Sequence, residues 1–375
     1  MIQLKRPTRI AIFHDNFAQW GGAERVAEAL QRTFPGSDLH TTLVVRKRLS
    51  NYLRSIPVIA TWMQYLPAKA RYFRYYFLLY PFAVESVDLD TYDLVITSCF
   101  GYAKGVKRGS SPAVHICYCH TPMRWVWRTE DYLSREGMPA WKELLLRWLL
   151  KPLKAWELRA ARRPDYYIAN SAVVADRLHR AFGVESVVIP PPIETSRFHI
   201  SDQVGDYFLV ISRLVPYKRI DLAVLACTQL NLSLIIVGDG PDRARLEALA
   251  GPTITFAGRA SDAEVNDYAS RCRALIFPGE EDFGMTPLEV NAAGRPVIAY
   301  KGGGAAETIT EGLNGIFFDD PSVESLQNAI TRFQHFTWDS QRIRERAMEF
   351  DIATFQQRIL EFVASKLPHG SIPKA

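Results

Sequence analysis

Several features are scarce in this chain of 375 residues, and each absence excludes a class of protein. The five cysteines are an odd number scattered along the chain, which fits reduced thiols rather than a disulfide framework. No uncharged apolar run approaches the roughly 18 residues of a membrane-spanning helix. The first residues lack the apolar core of a signal peptide, so we expect the protein to stay in the cytoplasm.

The composition is that of an ordinary globular protein, with 48% hydrophobic and 23% charged residues. Its length suffices for two domains with separate cores. The net charge of +5 hides an asymmetry, because residues 1–200 carry 28 Lys/Arg against 17 Asp/Glu and the remainder carries 17 against 23. A basic half joined to an acidic half suggests that the basic half faces an anionic surface, either nucleic acid or membrane.

Short β-branched runs alternate with helical segments, which is typical of parallel α/β sheets and predicts a doubly wound α/β fold. Five strands are predicted in the first half, at 9–13, 93–97, 113–118, 166–170 and 186–190. Five more are predicted at 207–212, 232–238, 253–258, 274–278 and 296–300. The proline-rich stretch from Pro190 separates the two series and gives the domains 1–190 and 207–350, with a linker at 191–206. We expect a cleft between the two domains, with ligands near the carboxyl ends of the strands. A final helix is predicted within 351–375, with one apolar face.

Two glycine-rich or basic loops follow predicted strands at corresponding places in the two halves. Gly21 and Gly22 lie where the first helix opens and would let a ligand approach the backbone, although an ordinary βα turn explains them equally well. They do not form the GxGxxG fingerprint, and no Walker sequence occurs. Arg213 and Lys218 bracket a proline-containing loop and could neutralise a diphosphate, although a solvated basic loop is the commoner case.

Histidines and cysteines cluster in "HICYCH", residues 115–120, but the Cys-x-Cys spacing is not that of a zinc site. The sequence offers no second Cys or His pair that could complete a zinc site, so we predict no metal here. His120 falls just past the strand, where the cleft is expected, and is a candidate site residue on position alone.

Glu281 and Glu289 stand eight positions apart around a helix start signal. On one helix they would be ~12 Å apart along the axis, too far to share a proton or a metal. Thr286 as N-cap, Pro287 and Glu289 predict a capping box, which would leave Glu281 in the loop before the helix. The backbone N–H groups of such a helix start form an anion site, so a phosphate could lie between the two acids.

An aromatic and basic segment occupies residues 62–82, where nine of 21 residues are aromatic, three are basic and none is acidic. This composition suits an anionic bilayer interface, single-stranded nucleic acid, or an α-hairpin packed into the first domain's core. A second basic amphipathic stretch at 144–163 favours the membrane. The basic half contains no nucleic-acid reading module, so we predict no nucleic-acid partner.

The order of these pieces resembles the retaining nucleotide-sugar glycosyltransferases of family four, often called group 1. The stretches that carry the resemblance are "GGAE" at 21–24, the histidine at 120, "SRLVPYKRIDL" at 212–222, "VGDGPDRARLE" at 237–247, "FAGRASDAEV" at 256–265, "FPGEEDFGMTPLEVNAAGRPVIA" at 277–299 and "GGGAAE" at 302–307. The resemblance covers residues 9–365. It implies the GT-B architecture, with two Rossmann-like domains and a C-terminal helix that crosses back to the first domain.

The resemblance also implies roles for individual residues. Arg213 and Lys218 would hold the diphosphate of the donor, Glu281 would contact the donor sugar and Glu289 the ribose. His120 would lie near the hydroxyls of the transferred sugar. The remaining donor-binding positions implied are Gly21, Gly22, Gly258, Arg259, Phe283, Gly284, Met285 and Thr286.

Mannose transfer from GDP-mannose is the activity that "CYCHTPMRW" and "EDFGMTPLE" most resemble, in polysaccharide or O-antigen assembly. The implied acceptor is a saccharide, and a lipid-linked one would fit the basic, aromatic-rich first domain at the inner face of a membrane. The resemblance implies no metal or other cofactor. The alternatives are a UDP-sugar donor, a sugar-nucleotide epimerase of the same fold, and a nucleotide-sugar binding protein that catalyses nothing.

Overall fold

The computed structural model describes residues 8–109, 112–129 and 140–367 of the chain. The chain forms two compact units. The N-terminal unit consists of the residues up to Pro190 together with those from Phe355 onward, and the C-terminal unit is Pro191–Thr354. Each unit is built around one parallel β-sheet.

The N-terminal sheet has seven strands in the described residues, all paired in parallel. They are β1 (Ile10–His14), β2 (Asp38–Thr41), β3 (Val58–Ala60), β4 (Leu94–Cys99), β5 (Val114–Cys119), β6 (Tyr166–Ala169) and β7 (Ser186–Val188). Their order in the sheet is β3-β2-β1-β4-β5-β6-β7, so the chain reverses its direction of growth between β1 and β4. Such a switch point leaves a crevice at the carboxyl ends of the strands.

Helices cover both faces of this sheet. Those described are α1 (Gly22–Thr33), α2 (Asn51–Ser55), α3 (Lys69–Tyr72), α4 (Tyr80–Glu85), α5 (Arg124–Trp127), α6 (Ala140–Ala160) and α7 (Ala172–Phe182). Successive residues of β1 pack into two different clusters, Ile10 and Ile12 into one and Ala11 and Phe13 into the other. A strand buried on both faces needs a continuous apolar run, which is why β1 could be predicted from sequence.

The C-terminal sheet has six parallel strands in the described residues, in the order β10-β9-β8-β11-β12-β13. Their bounds are β8 (Phe208–Ile211), β9 (Leu234–Val237), β10 (Ile254–Gly258), β11 (Ala274–Phe277), β12 (Val297–Tyr300) and β13 (Gly315–Phe318). The helices are α8 (Ile220–Gln229), α9 (Arg243–Leu249), α10 (Asp262–Arg271), α11 (Met285–Ala292), α12 (Ala305–Thr308), α13 (Val323–Phe333) and α14 (Ser340–Met348). The direction of growth reverses between β8 and β11, which are neighbours.

The ten strands predicted from the sequence are all present, with ends that differ by a few residues at most. The sequence prediction missed β2, β3 and β13. The fold is the predicted α/β fold, with two doubly wound sheets.

Residues 191–206 belong to the C-terminal unit and are packed into it. Ile193 and Phe198 are buried in one of its core clusters. The Ile193 backbone N–H donates to the carbonyl of Phe350 at 2.9 Å, and the Thr195 hydroxyl donates to the Asp351 carboxylate at 2.5 Å. These contacts tie the start of the unit to its last residues.

The final helix, α15 (Ile352–Lys366), ends in the core of the N-terminal unit, as the resemblance implies. Phe355, Ile359 and Val363 are buried there, and the Phe355 ring packs edge-on against Tyr118 with centroids 5.8 Å apart. Within the described ranges, no helix combines the length and apolar character needed to cross a membrane.

Candidate active site

The C-terminal unit gathers its candidate residues at one edge of the sheet. The loops after β8, β10, β11 and β12 all leave the sheet at its carboxyl edge because the strands are parallel. At the switch point between β8 and β11 lies a small recess that is partly open to solvent. Its lining residues are Val210, Ile211, Ser212, Lys218, Ile220, Ile276, Phe277, Pro278, Gly279 and Glu281.

Lys218 and Glu281 meet in this recess. Lys218 ends a short 3₁₀ turn after β8, and Glu281 lies in the loop after β11. The Lys218 ammonium forms an ion pair with the Glu281 carboxylate. Both side chains are largely buried, with 15% and 22% exposed. Two residues that are 63 positions apart in sequence thus place opposite charges at the strand ends where ligands of doubly wound sheets bind.

Two of the three glycines at 302–304, Gly303 and Gly304, pack beside Glu281. Gly303 has a left-handed backbone (φ +63°) and forms a β-bridge with Glu281. A Cβ at Gly303 would lie 2.1 Å from the Glu281 carbonyl oxygen. The Gly304 N–H donates to that oxygen at 2.8 Å. The loop after β12 therefore fixes the loop that carries Glu281, and only glycine permits the approach.

The predicted capping box is wrong. Helix α11 begins at Met285 with Gly284 as its N-cap, and no side chain caps it. Gly284 adopts a left-handed conformation (φ +85°), which turns the chain into the helix two residues earlier than a Thr286 cap would. Thr286 and Glu289 are therefore helical residues, and both are half-buried. The first turn of α11 has no side-chain cap, and uncapped N–H groups at a helix start can bind an anion.

The other residues predicted in this unit also follow strand ends. Arg213 is exposed in the loop after β8, and Phe283 is buried just before α11. Gly258 ends β10 with a left-handed backbone (φ +73°), and its carbonyl accepts from the Gly238 N–H at 2.7 Å. The Arg259 side chain is 86% exposed and lies 3.7 Å from the Asp239 carboxylate.

In the N-terminal unit, Gly21, Gly22 and His120 lie at the carboxyl edge of the sheet. Gly21 is the N-cap of α1, which begins at Gly22. His120 directly follows β5, is 8% exposed, and its backbone N–H donates to the Cys99 carbonyl at 2.8 Å. The glycines and the histidine are thus on the ligand-binding edge of their own unit.

The sequence prediction missed Ser98, which contacts this histidine, and His14, which contacts Ser98. The Ser98 hydroxyl lies 2.9 Å from His120 Nε2 and 3.0 Å from His14 Nδ1. His14 ends β1 and Ser98 lies near the end of β4, and the two are paired in register. Burial, with the nearby charge of His120 as a second cause, lowers the pKa of His14 to about 3, so His14 is neutral at physiological pH. The only sequence signal was a polar side chain at the end of each of two predicted strands.

Two buried acids support the same edge. The Asp15 carboxylate accepts three backbone N–H bonds, from Phe100, Tyr102 and Ala103, each at 2.6 Å. It thereby holds the loop that follows β4. Glu24 in the first turn of α1 is 1% exposed, and burial raises the pKa of its carboxyl to about 7.

In the part of the chain that the structure describes, metal-ligand side chains do not converge at either edge. Among the residues that the structure describes, no three His, Cys, Asp or Glu side chains form a group that could hold a metal ion. Cys117 and Cys119, which the sequence placed near His115 and His120, are buried in the apolar core. The Asp-x-Asp sequence at 88–90 precedes β4 and so lies at the amino edge of its sheet.

Comparison with known proteins identifies the family. The family described as Glycosyltransferase Family 4 matches residues 20–197, and the one described as Glycosyl transferases group 1 matches residues 194–350. The two matches are contiguous and together cover most of the chain. This chain belongs to the family-four, group 1 glycosyltransferases.

Individual relatives agree with this assignment. A GDP-mannose-dependent alpha-mannosyltransferase of Mycobacterium tuberculosis is 33% identical over 68% of this chain and 66% of the relative. A protein of the same description from Mycolicibacterium smegmatis is 36% identical over 32% of each chain. The matched regions therefore span between about a third and two thirds of these relatives' own length.

Solved structures agree on the fold. The structure of Anabaena HepE in complex with UDP and glucose has a TM-score of 0.69 and 19% identity, covering 95% of this chain and 99% of that one. At this identity the likeness concerns the fold alone, which is the GT-B fold with two Rossmann-like domains.

Proposed function

We propose that this protein transfers mannose from GDP-mannose to a saccharide acceptor, with retention at the anomeric carbon and without a divalent cation. The observation that carries the proposal is the convergence of Lys218 and Glu281 at the switch point of the C-terminal sheet. The choice of donor is supported by the relatives described as GDP-mannose-dependent.

The chemistry follows from the charges at this edge. Cleavage of the bond between sugar and diphosphate leaves negative charge on the departing nucleotide, which fixed cations and amides stabilise. Lys218 and Arg213 supply the cations, and the first turn of α11 supplies N–H groups. When the donor's phosphates take the Lys218 ammonium, the Glu281 carboxylate is released to accept hydroxyls of the sugar. Glu289, one turn into α11, is assigned to the ribose.

A donor panel tests this proposal. Thermal shift and donor hydrolysis would be measured with GDP-mannose, UDP-glucose and ADP-glucose, each with and without EDTA. We expect GDP-mannose to give the largest shift and the fastest hydrolysis, unchanged by EDTA. A preference for UDP-glucose would contradict the choice of GDP-mannose and support a UDP-sugar donor instead. Binding without hydrolysis or transfer would identify a non-catalytic binding protein, and an altered sugar formed from donor alone would identify an epimerase.

We also propose that the acceptor is lipid-linked and is met at an anionic membrane surface. Helix α6 supports this because it has two apolar faces. Leu150, Leu153 and Trp156 are buried in the core of the N-terminal unit. On the other side, large apolar side chains are more than half exposed or nearly so: Trp141, Leu144, Leu145 and Trp148. Their spacing of i, i+3, i+4 and i+7 makes one stripe.

Apart from Glu143, whose carboxylate pairs with Arg147, the exposed charges along this stripe and the rest of α6 have one sign. Between residues 144 and 163 the one acid is Glu157, which is fully buried in an ion pair with Lys104 at 2.7 Å. The exposed charges on this part of α6 are therefore basic, among them Lys151, Lys154 and Arg159. An apolar stripe that runs into a basic one fits the interface of an anionic bilayer.

The aromatic segment at 62–82 contributes to both the core and the surface. Met63 and Tyr80 are buried, whereas Tyr65, Tyr75 and Phe82 are more than 60% exposed. The segment is therefore only in part packed into the core, where the α-hairpin interpretation of its sequence placed it. Its exposed rings stand among Lys and Arg residues without an acid.

Vesicle co-sedimentation tests the membrane proposal. We expect the protein to bind vesicles that contain phosphatidylglycerol, to bind neutral vesicles weakly, and to lose most binding in the double variant Leu144→Ser/Trp148→Ser. Val204→Ser is the matched control, because Val204 is 57% exposed in the C-terminal unit. Equal binding by both variants would contradict the proposal, as would binding to single-stranded RNA in preference to anionic vesicles.

A further inference from the structure

We infer that His14 and Ser98 are positioning residues that hold His120 as the tautomer protonated on Nδ1, so that His120 acts as a hydrogen-bond donor through this nitrogen. The inference deepens the proposed function, since the role of His120 at the sugar rests on it. The state of the histidine itself can be measured without any substrate.

The three side chains form a chain of contacts at the switch point of the N-terminal sheet. His14 ends β1, Ser98 lies on the adjacent strand β4, and His120 follows β5, the next strand in the sheet. The Ser98 hydroxyl lies 3.0 Å from His14 Nδ1 and 2.9 Å from His120 Nε2. Both distances are those of good hydrogen bonds. A serine hydroxyl has one hydrogen, so it can donate to only one of the two rings.

The surroundings of His14 decide which of the two rings accepts the hydrogen of the Ser98 hydroxyl. The ring is fully buried, and among the described residues its Nε2 has no hydrogen-bond partner. The ring is neutral and carries a single proton. A buried N–H without an acceptor is rarer and more costly than a bare acceptor nitrogen. The proton therefore lies on Nδ1, where the Ser98 hydroxyl oxygen is within hydrogen-bond distance.

The direction of the second contact follows. Because His14 Nδ1 donates to the Ser98 oxygen, the Ser98 hydrogen is available for His120 Nε2. That nitrogen then accepts, and in its neutral form the His120 ring has its proton on Nδ1. The lone pair of Nε2 is occupied, so His120 is not a general base through this nitrogen. In this tautomer the Nδ1 group donates to an oxygen, as a sugar hydroxyl would require, and does not remove a proton.

Ring packing holds the two histidines of this chain of contacts in place. The His14 ring lies between the rings of Phe17 and Phe100, with centroids 4.6 and 5.8 Å away. The His120 ring packs against Tyr118 at 5.2 Å. Neither ring needs to rotate for the hydrogen bonds to form, and fixed second contacts of this kind set histidine tautomers in proteins.

Long-range ¹H–¹⁵N correlation spectra of histidine-labelled protein, without donor, test the inference directly. His120→Gln and His14→Gln assign the two rings among the eight histidines. We expect His120 to show a protonated Nδ1 and a bare Nε2. In Ser98→Ala the constraint is lost and Nε2 becomes at least partly protonated, whereas Ser98→Thr, which keeps the hydroxyl, retains the original pattern.

Kinetics with the donor provide the second measurement. Ser98→Ala is expected to lower kcat/KM about tenfold, the effect of losing roughly one hydrogen bond's worth of stabilisation, with recovery in Ser98→Thr. A wild-type His120 protonated on Nε2, or an unchanged tautomer in a folded Ser98→Ala variant, would overturn the inference. Failure of the proposed function would look different, because the spectra would keep the expected tautomer while no sugar is transferred.

Discussion

The ammonium of Lys218 is ion-paired with the carboxylate of Glu281, joining the loop after β8 to the loop after β11. In the absence of donor, each group is the partner that neutralises the other in a largely buried recess. On the proposed function, a donor would exchange this contact for contacts of its own, with its phosphates at the cation and its sugar hydroxyls at the carboxylate. The pair keeps both charges in position at the carboxyl edge of the C-terminal sheet.

Replacing the cation should abolish turnover more than binding. We expect Lys218→Met to lower donor hydrolysis and transfer by about 100-fold or more, because one preorganised donor to a developing anion contributes that much in other enzymes. Steady-state assays at saturating GDP-mannose measure the loss. Lys301→Met is the matched control, since Lys301 is 57% exposed in the same unit and pairs with Asp319 at 3.5 Å. Unchanged transfer by Lys218→Met would exclude a role for this lysine at the leaving group.

The close approach of Gly303 to Glu281 predicts a second effect. Alanine at 303 would place its Cβ 2.1 Å from the Glu281 carbonyl oxygen, so the loop that carries Glu281 must shift. We expect Gly303→Ala to weaken donor binding about tenfold or more, as measured by isothermal titration. Gly312→Ala separates this clash from backbone strain, because Gly312 also has a positive φ (+80°) and meets only the edge of the Phe336 ring at 3.4 Å. If both variants weaken donor binding equally, backbone strain alone explains the effect.

The strands of both sheets could be predicted wherever burial on two faces demands an uninterrupted apolar run. Strand β2, "DLHT", has no uninterrupted apolar run, because it contains Asp38 and His40. Both polar side chains instead form hydrogen bonds with a residue far away in sequence. His40 Nε2 lies 3.1 Å from the Tyr92 hydroxyl, which donates to Asp38 at 2.8 Å. Strand β3 has only three residues and β13 begins with a glycine, so neither gives a local signal.

Local signals also misled at the site itself. The Thr286–Glu289 spacing matches a capping box, but the left-handed Gly284 starts the helix earlier and leaves the box without a function. The sequence could place Lys218 and Glu281 at strand ends because each directly follows a predicted strand. It could not place Ser98 between two histidines, since that contact joins residues 84 and 22 positions apart. Tertiary pairing of strand ends, which no local pattern encodes, decides such contacts.

Glu24 predicts how the stability of the N-terminal unit depends on pH. Burial raises the pKa of its carboxyl from 4.5 to about 7, and the nearby Asp15 adds to the rise. The folded protein therefore holds this proton more tightly than the unfolded chain does. The contribution to the free energy of unfolding is fully present below pH 4.5, is lost as the pH rises towards 7, and is constant above that. The loss amounts to about 3 kcal/mol by linkage.

Glu24→Gln removes the ionisation and should remove this decline. We expect the variant to be more stable than the wild type at pH 8 and to lose that advantage at pH 5, where the wild-type carboxyl is mostly protonated. Urea unfolding followed by tryptophan fluorescence between pH 5 and 8.5 measures it, because seven of the eight tryptophans lie in the N-terminal unit. Glu185→Gln, at a side chain that is 92% exposed, should parallel the wild type. If the difference between Glu24→Gln and wild type does not change with pH, the carboxyl is ionised throughout and burial does not control its proton.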